Sequence, residues 1–459
     1  MPPAAVRTRL ATTIPLPSGG APLPAPGRRV PLSPFDAHWV VLPPVCHVFL
    51  FPAPCPPLPF QDVSRALRSS LAAVLPAFHP LAGELAYSPD SRTVSIVCGE
   101  VARVSFVEAE TELEFARLVE DGAEQDIGAL RQLVPDISRD ELPAPVMAAQ
   151  VTEFVGGGGG GCIAVGVAVH HAAMDGRGLW RFIEMWSAAA AAGVQQGSVT
   201  REPAPPLHDR SLVRFDGDEE VAAVFLRQTT PDLPRVSHVA KVVPTQVPSS
   251  ERRDMLSRRT FTFPASTVRR LKQRLAAATG SPTAPSTFAA LAAHGWVSLA
   301  RAGGFTDGGP VFAAFPADCR AHLSPPAPDS YDGNCVAPCI IALPGEELAG
   351  ADGLARAFMA IRGAVEAMRR DPLADCRRWI ARFDDIPPGR MVVLVGSSRF
   401  PAYAVDFGFG TPARAEKTSL NHDGEISLVA GREAGSVQAS VAVSSDKMPA
   451  FREMFAVDA

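Results

Sequence analysis

AVGVAVHHAAMDGRGLW, residues 164–180, runs from an apolar stretch through two histidines and an acid–glycine step into a helical pattern. Residues 162–169 (CIAVGVAV) are nearly all apolar and follow a glycine run, which predicts a short interior strand. Beyond Gly176, the residues Leu179, Phe182, Ile183 and Trp186 recur at helical spacing and predict a helix with one apolar face. Strand, turn and helix in succession indicate α/β structure, and the junction places His171 at the end of the strand. Asp175 follows by about one helical turn, so its carboxylate can lie near the imidazole without being its direct partner. A histidine followed by an acid is by itself more often structural than catalytic. The strand–turn–helix context and the doubled histidine make His171 the candidate general base, while His170 reads as a packed or hydrogen-bonded core histidine.

Composition supports a substantial enzyme core. The chain has 459 residues, 47% of them apolar and 20% charged, which predicts two or three domains. A formal net charge of −5 gives no electrostatic case for nucleic acid or an anionic membrane. No apolar run approaches the roughly 18 to 20 residues that span a bilayer. The opening MPPAAVRTRLATTIPLPSGG carries arginines and no acid, faintly like an organelle transit peptide, but it lacks the apolar core of a secretory signal. A cytoplasmic chain with a first strand at residues 6–14 is the preferred expectation.

The eight cysteines, at 46, 55, 98, 162, 319, 335, 339 and 376, lack the paired spacing of a zinc site and are expected to be reduced and buried, with no bound metal. Residues 146–155 and 162–169 read as an antiparallel pair joined across Gly156 to Gly161. That glycine run has no following Lys-Ser or helix start, so it predicts a hairpin tip and not a phosphate cradle. DVSRALRSSLAAVLPAF (62–78) reads as a helix. Residues 195–250 show weak periodicity and read as a long crossover. RRTFTFPAS then restarts a strand, TVRRLKQRLAAAT a helix, and Ser286 is a plausible N-cap for a second helix before the strand PVFAAFPADCR. Two strand-and-helix halves emerge, with a ligand cleft between them and the histidine at its edge.

HHAAMDG, SPFDAHW at 33–39, HPLAGEL at 79–85, ADCR at 317–320, YDGNC at 331–335 and DFGFG at 406–410 occur in an order that resembles the plant BAHD acyltransferases. These enzymes move acyl groups from coenzyme A thioesters to alcohols or amines. HHAAMDG matches the family's HxxxD motif and DFGFG its usual DFGWG, with Phe409 in place of tryptophan. YDGNC carries Asp332 where the flavonoid-glycoside branch usually has phenylalanine, and GSSRF at 396–400 resembles that branch's GSPRF. The Ser-Trp pair of other branches, proposed to help hold the oxyanion, is absent. Peptide-synthetase condensation domains share HHxxxDG, but not DFGFG together with YDGNC.

The resemblance implies a two-domain chloramphenicol-acetyltransferase-like α/β fold with mixed sheets flanked by helices. The active site would lie at the interface of residues 1–195 and 251–459, with 196–250 crossing between them. It implies His171 as the general base, no covalent enzyme intermediate and no bound cofactor, with a coenzyme A thioester as co-substrate. Asp175, with Gly176, would be structural and paired with Arg320, while Asp406, Gly408 and Gly410 would shape a loop remote from the reacting atoms. Arg270, Lys272, Ser286 and Thr287 are candidates for the coenzyme phosphates. Arg177 and Arg399 are candidates for the free carboxylate of a malonyl donor. The implied reaction is transfer, malonyl favoured, to a phenolic or flavonoid glycoside by a monomer. A hydroxycinnamoyl transferase and a catalytically inactive binding protein are the alternatives.

Overall fold

The computed structural model describes residues 5–16, 28–99, 102–156, 159–195, 205–236, 255–280, 283–420 and 422–457. Its first sheet is built around the apolar run of the opening motif. Ile163–Val169 is buried at every position, as a strand covered on both faces must be. It runs antiparallel to Met147–Phe154 on one side and to Val45–Phe51 on the other, so the expected hairpin across the glycine run is present. Met147–Phe154 pairs in parallel with Arg103–Thr111, and Val6–Pro15 forms the antiparallel edge beyond it. The opposite edge is Arg414–Lys417, a strand from the far end of the chain that pairs with Val45–Phe51.

The second sheet also has six strands, in the order Leu256–Phe263, Val437–Ser444, Glu425–Ala430, Met391–Gly396, Pro310–Asp318 and Val336–Pro344. Parallel pairing occurs only at Met391–Gly396, against both of its neighbours, so the sheet is mixed. The alanine-rich helix Thr287–Ala302 is buried continuously from Ala289 to Ala300, which its small side chains permit. It packs between Gly353–Arg370, Ala265–Thr279 and Met448–Val457. As expected, the Ser286 hydroxyl accepts from the Ala289 N–H at its start.

The helix after the histidines spans Gly176–Gln195, with Leu179, Phe182, Ile183 and Trp186 all buried. Trp186 Nε1 donates to the Leu67 carbonyl and to Ser70 Oγ, which fastens this helix to Phe60–Val74. Buried apolar residues from both large sheets belong to one contiguous cluster. Among the described residues, no helix is long and apolar enough to cross a membrane.

Two expectations need correction. The weak periodicity read over 195–250 hides a twelve-residue helix, Asp218–Thr229, which has three acids in its first turn and buries Val221, Phe225 and Leu226. The stretch DEEVAAVFLRQ carried that periodicity, but the surrounding prolines and polar residues obscured it; residues 196–204 and 237–250 of the segment lie outside the described residues. The cysteines are free, yet Cys55 is exposed and Cys46 and Cys376 are only half-buried. Cys335, nearest in sequence to Cys339, meets Cys319 in space, with sulfurs 3.6 Å apart on neighbouring strand ends.

Candidate active site

A cavity of about 270 Å³ opens where the two large sheets face each other. Trp39, His171 and Trp180 line it from the first half of the chain, and Phe315, Val336 and Lys417 from the second. His171 lies just past the end of Ile163–Val169, in the turn before the helix. Its ring stacks on the Trp39 indole at a centroid distance of 3.9 Å, with the planes within 6°. Burial in the cavity wall, with a smaller push from the Lys417 ammonium, lowers the His171 pKa to about 3. The imidazole is therefore neutral near pH 7, which is the form that can accept a proton. His170 turns into the protein, where its Nδ1 accepts from the Ala172 N–H.

Asp175 borders the cavity, but its carboxylate is committed elsewhere. One oxygen accepts from Arg320 Nη2 at 2.8 Å and from the Cys335 N–H at 3.1 Å. The other accepts from the N–H groups of Arg177 and Gly178, which cap the first turn of the helix. Arg320 also donates to the carbonyls of Tyr331 and Gly333. The acid of the HxxxD pattern thus ties the helix start to the YDGNC loop and leaves the imidazole unencumbered. Gly178 is required by the same approach, because a Cβ there would meet the Asp332 carbonyl oxygen at 2.7 Å.

A second anchor holds the backbone of the histidine turn. Asp36, from SPFDAHW, accepts from the backbone N–H and the side-chain amide of Asn334 and pairs with buried Arg210 at 3.2 Å. Asn334 donates in turn to the His171 carbonyl, and Arg210 to the Ala173 carbonyl. Sequence reasoning did not assign roles to Asp36, Asn334 or Arg210. Asp36 and Asn334 lay inside quoted motifs, whereas Arg210 sits in the supposed crossover with no local pattern to mark it.

The two departures from the family pattern have definite environments. Asp332 is fully buried and pairs with Arg181 at 2.7 Å, one turn beyond Arg177 on the same helix. Desolvation raises its pKa to about 7, with the nearby arginines opposing. Phe409 packs edge-on against Phe51 at 4.9 Å, beside Phe407. Asp406 closes that loop by accepting from the N–H groups of Gly408 and Gly410, whose φ angles of 96° and 102° suit glycine. The DFGFG loop borders no part of the cavity and leads directly into the edge strand Arg414–Lys417.

The remaining candidates are not part of the cavity lining. Arg177 faces Asp318 and Asp329, at 3.4 and 3.2 Å. Arg399 is exposed on the GSSRF turn. Arg270 is exposed and Lys272 half-buried on the helix Ala265–Thr279, while Thr287 opens the next helix behind its Ser286 cap. The structure does not gather these four residues with His171. Lys417, Glu425 and His422, which do line the cavity, were not singled out from sequence.

Comparison with known proteins agrees with this geometry. A family model described as the Transferase family matches residues 20–458. The chain is 28% identical to phenolic glucoside malonyltransferase 1 of Arabidopsis thaliana over 442 residues, covering 91% of each chain. It is 26% identical to a malonyl-coenzyme:anthocyanin 5-O-glucoside-6'''-O-malonyltransferase of Salvia splendens, over 93% of this chain and 90% of the other. The crystal structure of vinorine synthase superposes with a TM-score of 0.73 at 19% identity, covering 97% and 96% of the two chains, a likeness of fold.

Proposed function

This chain belongs to the Transferase family, the acyl-coenzyme A-dependent acyltransferases, and we propose that it acylates a hydroxyl of a phenolic or flavonoid glycoside, with malonyl as the favoured group. The observation that carries the reading is a neutral His171, stacked on Trp39, in the wall of a cavity shared by both halves of the chain. The activities of the glucoside malonyltransferases with which it aligns along almost its whole length support the choice of donor and acceptor.

In this mechanism the acceptor hydroxyl gives its proton to the His171 imidazole as its oxygen attacks the thioester carbonyl. The new C–O bond forms, the C–S bond breaks, and the imidazolium returns the proton to the departing thiolate, releasing coenzyme A as the thiol. General-base help of this kind contributes about 10²- to 10⁴-fold. Asp175 and Arg320 position the turn and take no proton. The reading retains residues 1–195 and 251–459 as two domains joined by 196–250, in a monomer working in the cytoplasm; limited proteolysis, sedimentation and cell fractionation test those three points in turn.

The direct test is thiol release by wild type and His171→Ala with malonyl, acetyl and coumaroyl thioesters, with and without phenolic glucosides. Histidine-dependent release that needs both donor and glucoside supports the assignment and identifies the acyl group. Release by wild type that no alcohol accelerates would make the protein a thioesterase and overturn it.

A further inference from the structure

The cavity has a polar stretch of lining that gives and takes no proton in the acyl-transfer step. Lys417 ends the edge strand of the first sheet, opposite His47, and Glu425 begins a central strand of the second. Their side chains meet across the sheet junction at 2.8 Å, both largely buried and both lining the cavity. Between them in sequence lies His422, 4% exposed and also in the lining, with neither ring nitrogen hydrogen-bonded to the protein. A buried imidazole without a well-formed hydrogen bond, held only by the pull of Glu425 and the neighbouring Asp423, is costly unless something entering the site completes its bonding.

The charges decide what can enter. The ammonium and the carboxylate cancel, and burial lowers the His422 pKa, so the imidazole is neutral. An acyl carboxylate placed here would accept from Lys417 but face Glu425, with no net positive charge to compensate its desolvation. A hydroxyl group both donates and accepts. A wall that offers an ammonium, a carboxylate and an imidazole with a donor and an acceptor nitrogen therefore matches several adjacent hydroxyls. The same lining also holds the aromatic rings of Trp39, Trp180 and Phe400, which suit a flat aglycone.

From this juxtaposition we infer that Lys417, His422 and Glu425 form the subsite that reads the sugar hydroxyls of the acceptor. The inference rests on the glycoside acceptor proposed above and deepens it by assigning specificity to residues outside the motifs. It also explains why the short edge strand crosses to the first sheet, since that crossing brings Lys417 to Glu425.

The test uses Lys417→Met/Glu425→Gln, which removes both charges together and avoids leaving one buried ion alone, and separately His422→Phe. Each is assayed with a phenylalkyl glucoside and with the parent phenylalkanol, which keeps the aromatic ring and one hydroxyl. We expect kcat/KM for the glucoside to fall about tenfold or more in both variants, with the alcohol changed less than about twofold by His422→Phe and less than the glucoside by the charge-pair variant. An equal loss on both acceptors would show that the pair only clamps the two sheets and would overturn the inference. So would a loss confined to malonyl thioester with acetyl thioester spared. Calorimetric titration of glucoside without donor separates the two readings. Binding that depends on the wall in a protein without transfer activity keeps this subsite and defeats the acyltransferase, whereas wild type that fails to bind the glucoside defeats the subsite.

Discussion

The Trp39 indole lies flat on the His171 imidazole, 3.9 Å between ring centroids and 6° between planes. The residue that frames the base therefore comes from a segment more than a hundred positions earlier in the chain. An aromatic stack of this kind is worth about 0.5–1.5 kcal/mol beyond burial. Trp39→Ala should lower kcat/KM by about two- to tenfold through lost orientation of the ring. Trp39→Phe should recover most of that, and steady-state kinetics on the two variants decides the point.

His171→Ala should remove about 10²- to 10⁴-fold of activity while lowering the thermal midpoint only by the loss of the ring's stack on Trp39, because the ring contributes no hydrogen bond from Nδ1 to the protein. A large fall in the midpoint would show that the ring holds the turn instead.

Breaking either buried ion pair should have the opposite profile. Asp175→Ala leaves buried Arg320 with only the exposed Asp318 as its counter-charge, and Asp36→Ala takes from buried Arg210 its ion-pair partner. Each should cost about 3–5 kcal/mol of stability, read by denaturant unfolding, with activity lost as the turn loosens. A stable but inactive Asp175→Ala would contradict the structural role given to that acid.

Stability should fall on the acid side of neutrality. Burial holds His38 at about 4 and His47, His170 and His171 at about 3, and it also lowers His422. Below their ordinary value of about 6.5, the unfolded chain binds protons that the folded chain refuses, so stability drops as pH falls from about 6.5 toward 3. Asp332 has the opposite sign. Its pKa is raised to about 7, so the folded state holds a proton that the unfolded state releases, and stability is lost as pH rises from about 4 through 7. Urea midpoints between pH 4 and 8 should fall steeply on the acid side for wild type, and His47→Phe should flatten that slope.

Asp332→Asn tests whether the departure in YDGNC is tolerated because Arg181 reaches it. Arg181 also donates to the Asp329 carbonyl, so the guanidinium keeps a partner in the variant. The expected result is a gain of stability at pH 8 relative to wild type, visible in the thermal midpoint, with little change at pH 5.

Much of the architecture was legible because local patterns and tertiary environment agree. The all-apolar run at 163–169 became an interior strand, Leu179 to Trp186 became a buried helical face, and Ser286 became a cap. The Asp218–Thr229 helix was missed because proline and polar neighbours masked a short amphipathic repeat. Arg177 and Arg399 stand out by their nearness in sequence to motifs, yet neither is in the cavity lining, and Arg177 pairs with Asp318 and Asp329.

By itself, the sequence determined the secondary-structure periodicities, the histidine at a strand's end and the set of motifs, since these depend on spacing along the chain and on side-chain chemistry. Only the tertiary structure decided which distant groups meet: Trp39 on His171, Arg210 on Asp36, and Lys417 with Glu425 across two sheets. Such contacts depend on how strands from separate parts of the chain are ordered and registered. The edge strand that carries Lys417 takes its place by pairing with Val45–Phe51, more than three hundred residues away, a relation that no local pattern encodes.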